Sequence, residues 1–150
     1  MNINRNAPVV AAHEIAIGAD IRTVWSVLTD VDRWPDWNAD IPKAQLTGPL
    51  AVETVFNWET GGFAISTKFT EVTPPERLAW RGDANGIVAI HVWMLAQTKE
   101  GTHVSTEESW EGVGLPAPVD TVQAALDSLH IRWLSALKTR TESVGDNLPS

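Results

Sequence analysis

The chain has 150 residues, 43% hydrophobic and 20% charged, a composition that excludes disorder and fits one ordinary domain over residues 1–150. Its 11 basic and 19 acidic residues give a net charge of −8, which repels phosphate backbones and argues against a nucleic-acid partner. With no cysteine, disulfides, thiol nucleophiles and cysteine-held metals are all excluded.

The first element is "VVAAHEIAI" (9–17), which alternates as a strand does. "ADIRTVWSVLTD" follows, with Ile21, Val24, Trp25 and Leu28 at helical spacing and Asp20 placed to cap the first turn. Pro35 in "RWPDWN" interrupts that helix and starts a second short one that carries Trp34 and Trp37 inward. From residue 42 the pattern is strands and turns. "PKAQLTG" ends at Gly48-Pro49, "VETVFNWET" runs into a Gly61-Gly62 hairpin turn, and "FAISTKFTEVT" returns from it. Pro74-Pro75 stops that strand, "RLAWRG" opens the next, and residues 86–112 read as a long hairpin turning at Glu100-Gly101. "GVG" (112–114) lacks the Lys-Ser/Thr of a phosphate loop and reads as a cavity-entrance loop.

The turns set the register. A two-residue Gly61-Gly62 loop places Trp58 opposite Ile65 and Phe56 opposite Thr67. A Glu100-Gly101 loop places Leu95 opposite Thr106, Trp93 opposite Glu108 and His91 opposite Trp110. Period-2 alternation then lines one face with Phe56, Trp58, Phe63, Ile65, Trp93, Leu95 and Trp110, with Thr67, Thr106 and Gln97 as polar points. Residues 118–144 supply a cover: Val122, Leu126, Leu129, Trp133 and Leu137 form an apolar helical stripe, with Pro118 in the first turn and Gly145 at the end. Ile131 falls on the far side.

Eight tryptophans beside three phenylalanines and no tyrosine suit either an aromatic-lined pocket or a Trp-rich core, and composition leaves both open. His91 and Glu108 are the sharpest candidate pair, diagonal neighbours on one face. There they can serve as general acid and base, or form a structural hydrogen bond. His130, at the edge of the helical stripe, either reaches the cavity or keeps its ring tip in water. His13 and His103 have no assignable partner. No HxxxH or HExxH spacing occurs, so no metal and no cofactor is expected.

The segments "VWSVLTDVDRWPDWN", "GGFAISTKFTEVTPPERLAWRG", "HVWML" and "GTHVSTEESWEG", with the long final helix, resemble the polyketide cyclase/dehydrase-like branch of the START/Bet v 1-like (SRPBCC) superfamily. The resemblance spans residues 9 to 144. It implies an α+β helix-grip fold: a seven-stranded curved antiparallel sheet wrapped around the long C-terminal helix, two short helices after strand 1, and a hydrophobic cavity between sheet and helix. Members of the superfamily bind lipids or plant hormones, or cyclise and dehydrate polyketides. Two departures stand out: the Gly-rich phosphate-like loop has no counterpart here, and the tyrosine that aromatase/cyclase members place in the pocket is absent.

The expected function is binding of a hydrophobic, aromatic-containing small molecule. The cavity lining is Trp25, Trp37, Phe56, Trp58, Phe63, Ile65, Thr67 and Phe69, continued by Trp80, Trp93, Leu95, Trp110, Leu126, Leu129, His130 and Trp133. The alternatives are a cofactor-independent cyclase or dehydratase using His91 and Glu108, and a co-chaperone-like protein-partner module. No apolar run approaches the ~20 residues that span a bilayer, and no secretory signal is visible, so the expectation is a cytoplasmic monomer or homodimer without membrane insertion.

Overall fold

The computed structural model describes residues 2–146. Alternating side chains build seven strands: β1 (Val9–Ile17), β2 (Lys43–Leu46), β3 (Val55–Thr60), β4 (Phe63–Thr73), β5 (Arg77–Ala84), β6 (Ile87–Gln97) and β7 (Thr102–Glu111). They pair antiparallel in the order β1-β7-β6-β5-β4-β3-β2. A register shift between Phe69 and Glu71 adds local bend to β4.

Asp20 caps α1 (Ile21–Thr29), its carboxylate accepting from the Arg22 N–H at 2.9 Å. After a 3₁₀ turn at Val31–Arg33, Pro35 falls in the first turn of α2 (Trp34–Trp37), where its missing N–H costs no helical bond. The long helix α3 (Val119–Asp146) runs through the position predicted as its end, Gly145, and packs along β1 and α1.

Trp34 is the centre of the core. It is fully buried, donates its indole N–H to the Leu28 carbonyl at 2.9 Å, and meets Phe56, Trp58, Trp80 and Trp133 at ring separations of 5.4 to 5.7 Å. Phe69, Trp93 and Leu95 complete this solid mass between sheet and helices. A smaller apolar layer covers the opposite sheet face, where the N-terminal segment lays Ile3 near Ala79, Ile90 and Val92.

The β3–β4 register is the predicted one, with Trp58 opposite Ile65 and Phe56 opposite Thr67. The β6–β7 hairpin differs. Its last pair is Gln97–Thr102, and the Thr98 N–H donates to the Gly101 carbonyl at 2.8 Å, so the turn takes four residues rather than two. Gly101 is needed there because a Cβ would stand 2.1 Å from the Ile17 carbonyl oxygen. Each pairing moves by two places, which keeps every side chain on its predicted face. It also sets His91 directly opposite Glu108, Trp93 opposite Thr106 and Leu95 opposite Val104.

Candidate functional site

One row of the sheet carries the chemistry. Ala11, Glu108, His91, Trp80 and Phe69 are successive partners across β1, β7, β6, β5 and β4. Ala11 is too short to cover the carboxylate of Glu108, and His130 descends onto it from α3. The His130 Nε2 lies 2.7 Å from Glu108 Oε1, and His91 Nδ1 lies 3.2 Å from the same oxygen. The two imidazoles are nearly parallel, 7° apart, with centroids 5.0 Å apart. Trp110 donates its indole N–H to the other oxygen, Glu108 Oε2, at 2.7 Å. Thr106 Oγ1 stands 2.6 Å from His91 Nε2. All of this is buried except Trp110, which is half-buried.

Electrostatics follow from that burial. Burial disfavours the charged imidazole of His91; Glu108 pulls the other way and His130 adds to the lowering, leaving His91 at about 3. Burial alone would raise Glu108, but His91, His130 and the Trp110 N–H outweigh it and hold the carboxyl down at about 2. At neutral pH the site therefore holds an ionised carboxylate beside a neutral His91. The carboxylate has no proton to give, so the hydrogen bond from His130 Nε2 is donated by the ring. His130 Nδ1 is buried with no hydrogen-bond partner.

A pocket of about 60 Å³ adjoins this group. Glu108 and His130 border it, Trp58, Ile65, Trp110, Leu126, Leu129 and Trp133 supply its apolar walls, and Asn38, Asp40, Ile41 and Thr60 complete it. A larger open groove, about 690 Å³, runs along β2, β3 and β4; Trp58 and Ile65 line both spaces.

The expected lining thus divides. Phe56, Phe69, Trp80, Trp93 and Leu95, with Trp25, do not border the inner pocket because they pack against one another in the core. Thr67 is occupied as acceptor of the Trp58 indole N–H at 2.9 Å. Trp37 is half-buried beside Arg132 in a separate surface groove. Phe63 keeps the predicted parity, but at the hairpin tip it is 56% exposed. Gln97 accepts from the Ile21 N–H at 3.0 Å and so ties the hairpin end to α1.

Of the two alternatives for His130, the structure takes the inward one: the residue is 1% exposed and borders the inner pocket. Three histidines remote in the chain converge, because His13 on β1 sets its ring edge-on to His130 at 5.6 Å and His130 stacks on His91. His13 Nε2 also stands 2.9 Å from Asp127 Oδ1, and His103 Nε2 stands 3.4 Å from Glu14 Oε2, so both have partners. Arg77, at the start of β5, pairs with Glu71 at 2.9 Å. The 112–114 loop folds onto the β5–β6 turn, with the Gly114 N–H donating to the Gly86 carbonyl at 3.0 Å. Sequence reasoning missed Asn38, Asp40, Ile41 and Thr60. Only Thr60, sharing parity with Trp58 on β3, carried a readable signal.

Sheet, oblique C-terminal helix and enclosed polar group define a helix-grip protein. The chain belongs to the polyketide cyclase / dehydrase and lipid transport family, whose model matches residues 8–142. It is similar to a solved hypothetical protein, jhp0584, from Helicobacter pylori, at 25% identity, 93% and 91% coverage of the two chains and a TM-score of 0.82. A START superfamily protein from Mycobacterium smegmatis shares 14% identity over 90% of this chain and 98% of the other, with a TM-score of 0.75. The di-domain ARO/CYC StfQ from the steffimycin biosynthetic pathway shares 11% identity over 92% of this chain and 52% of its own, with a TM-score of 0.76. No curated protein matched the sequence. Among the described residues, no helix is long and apolar enough to cross a membrane.

Proposed function

We propose that this protein binds a small, flat, aromatic-containing hydrophobic molecule whose polar end meets Glu108 and His130. The observation that carries the reading is a buried carboxylate–imidazole pair bordering a pocket otherwise walled by Trp58, Ile65, Trp110, Leu126, Leu129 and Trp133. Apolar walls with a few convergent polar groups are how small-molecule sites are built. The inner pocket, about 60 Å³, takes only the polar end. The ring system packs against the apolar walls, where the half-buried Trp58 and Trp110 give way to admit it. Membership of a family described by polyketide cyclisation and lipid transport supports the same ligand class.

Titration of tryptophan fluorescence with 2-naphthol and anthraquinone, in EDTA-containing buffer, tests this. Saturable quenching that weakens in Leu129→Asp is expected; linear, unsaturable quenching in the wild type defeats the reading.

A second reading, a cofactor-independent cyclase or dehydratase, is favoured by the buried, unpartnered His130 Nδ1 beside an ionised carboxylate. His91 and Glu108 are then the acid–base pair, with His130 beside them. Its signature is accelerated exchange of acetophenone α-protons into D₂O, lost in His91→Ala and Glu108→Gln while probe binding and folding persist.

A further inference from the structure

His91, Glu108 and His130 bring one donor atom each to within 4.8 Å of one another: an imidazole nitrogen, a carboxylate oxygen and a second imidazole nitrogen. We propose that these residues form a binding site for a divalent transition-metal ion, with Zn²⁺ the best fit. Two histidines and one carboxylate are a common three-ligand set for that ion, leaving a fourth position open.

The first argument is charge. Glu108 carries its carboxyl group inside the fold, and among the described residues its polar partners are two imidazoles and an indole, with no lysine or arginine. A carboxylate removed from water is costly unless a cation faces it, and a divalent ion bound between it and the two imidazoles supplies that charge.

The second argument is the outer ring of contacts. Thr106 Oγ1 lies 2.6 Å from His91 Nε2, the nitrogen remote from the carboxylate. When Nδ1 faces Oε1 as an N–H, the hydroxyl donates to Nε2. When Nδ1 ligates a metal, Nε2 carries the proton and the same hydroxyl accepts it. Thr106 thus serves both forms without moving, the outer contact that orients a ligating histidine. Trp110 occupies Glu108 Oε2 at 2.7 Å, leaving Oε1, the oxygen that both imidazoles face, as the metal-facing donor, which suits a monodentate ligand and low coordination number.

The third argument is space. A pocket of about 60 Å³ is far below the ~300 Å³ at which organic-ligand sites begin, yet water occupies ~30 Å³ each in the liquid, so it holds the water that completes a metal's coordination. Glu108 and His130 both face that pocket. Bonds of about 2.0–2.1 Å at tetrahedral angles place donors about 3.3 Å apart. His91 Nδ1 already stands 3.2 Å from Glu108 Oε1, the ion replaces the His130 proton in the 2.7 Å hydrogen bond and widens that contact, and the two stacked imidazoles tilt to turn both nitrogens onto the ion.

The test uses the whole chain stripped with EDTA, dialysed, and titrated without any organic ligand. Calorimetry with Zn²⁺ is expected to show one ion per chain, and Co²⁺ to give the intense visible absorption of a low-coordinate nitrogen–oxygen site. Glu108→Gln and His130→Gln are each expected to weaken Zn²⁺ at least ~100-fold, because removing a ligand exceeds the 10–100-fold cost of removing an outer-shell partner. His103→Gln, at a surface pair, is expected to leave it unchanged. Absence of one-to-one binding by the wild type overturns the proposal whether or not the variants fold. So does loss of binding in His103→Gln with retention in Glu108→Gln. Naphthol binding in EDTA is read separately, so failure of the metal site and failure of the ligand reading are distinguishable.

Discussion

Glu108 and His91 face each other directly across the β6–β7 ladder, with His91 Nδ1 3.2 Å from Glu108 Oε1, and both residues are buried. A charged and a neutral group share one buried site, in which His130 and Trp110 donate to the carboxylate. The acid–base behaviour of the fold follows from that arrangement.

Stability should fall as the solution is acidified. His91 titrates at 6.5 in an unperturbed chain and at about 3 in the native state, so between those values the unfolded chain binds a proton that the native chain does not. Stability is then complete above the unfolded value and declines as pH falls from 6.5 toward 3. Glu108, lowered from 4.5 to about 2, adds a decline of the same sign between 4.5 and 2. Each group contributes up to about 1.4 kcal/mol per pH unit within its window. Urea unfolding in EDTA should show a lower midpoint near pH 5 than near pH 7, with His91→Gln flattening that difference. A midpoint independent of pH over this range contradicts a neutral, buried His91.

Trp110→Phe keeps an aromatic side chain, though a smaller one, and removes the indole N–H that holds Glu108 Oε2. Hydrogen bonds to charged groups contribute about 1.5–3 kcal/mol, and a loss of that size is expected in denaturant unfolding. Loss of less than about 0.5 kcal/mol, the range of ordinary surface changes, counts against an ionised Glu108.

Thr106→Val preserves shape and strand preference while leaving His91 Nε2 without its hydroxyl. The orphaned buried nitrogen should cost about 1–3 kcal/mol. The His91 ring should also lose its fixed tautomer, visible as a change in its ¹⁵N shifts. Unchanged shifts would show that Thr106 does not orient the ring.

Trp34→Ala and Phe63→Ser make opposite predictions for two aromatics that the sequence pattern turns inward, one on a helix and one on a strand. Trp34 touches four other aromatic rings and satisfies the Leu28 carbonyl, so its loss should cost about 3–5 kcal/mol or prevent folding. Phe63, exposed at the hairpin tip, should change stability by about 0.5 kcal/mol or less. Thermal unfolding followed by circular dichroism separates the two.

Legibility differed between the hairpins for a physical reason. Gly61 and Gly62 both take positive φ, a demand two adjacent glycines announce, so the β3–β4 register was readable. At the β6–β7 end only Gly101 marks the turn, and its need for glycine comes from contact with Ile17, remote in the chain. The helix was read in the same partial way. The apolar residues suggested a stripe of Val122, Leu126, Leu129, Trp133 and Leu137, whereas Leu126, His130, Trp133, Leu134, Leu137 and Thr141 are buried. Hydrophobicity places a histidine at the margin. It cannot register that a carboxylate waits on the sheet below.

The sequence alone determined the seven strands, the covering helix, the inward-facing side chains and, through resemblance, the helix-grip family. These depend on periodicity and turn chemistry, which are local properties of the chain. Tertiary structure alone decided that the tryptophans close into a solid core leaving a pocket of about 60 Å³, and that His130, His91 and Glu108 meet beside it. Packing density and the convergence of groups from a helix and two strands arise from distances between remote segments, and no local pattern encodes those distances.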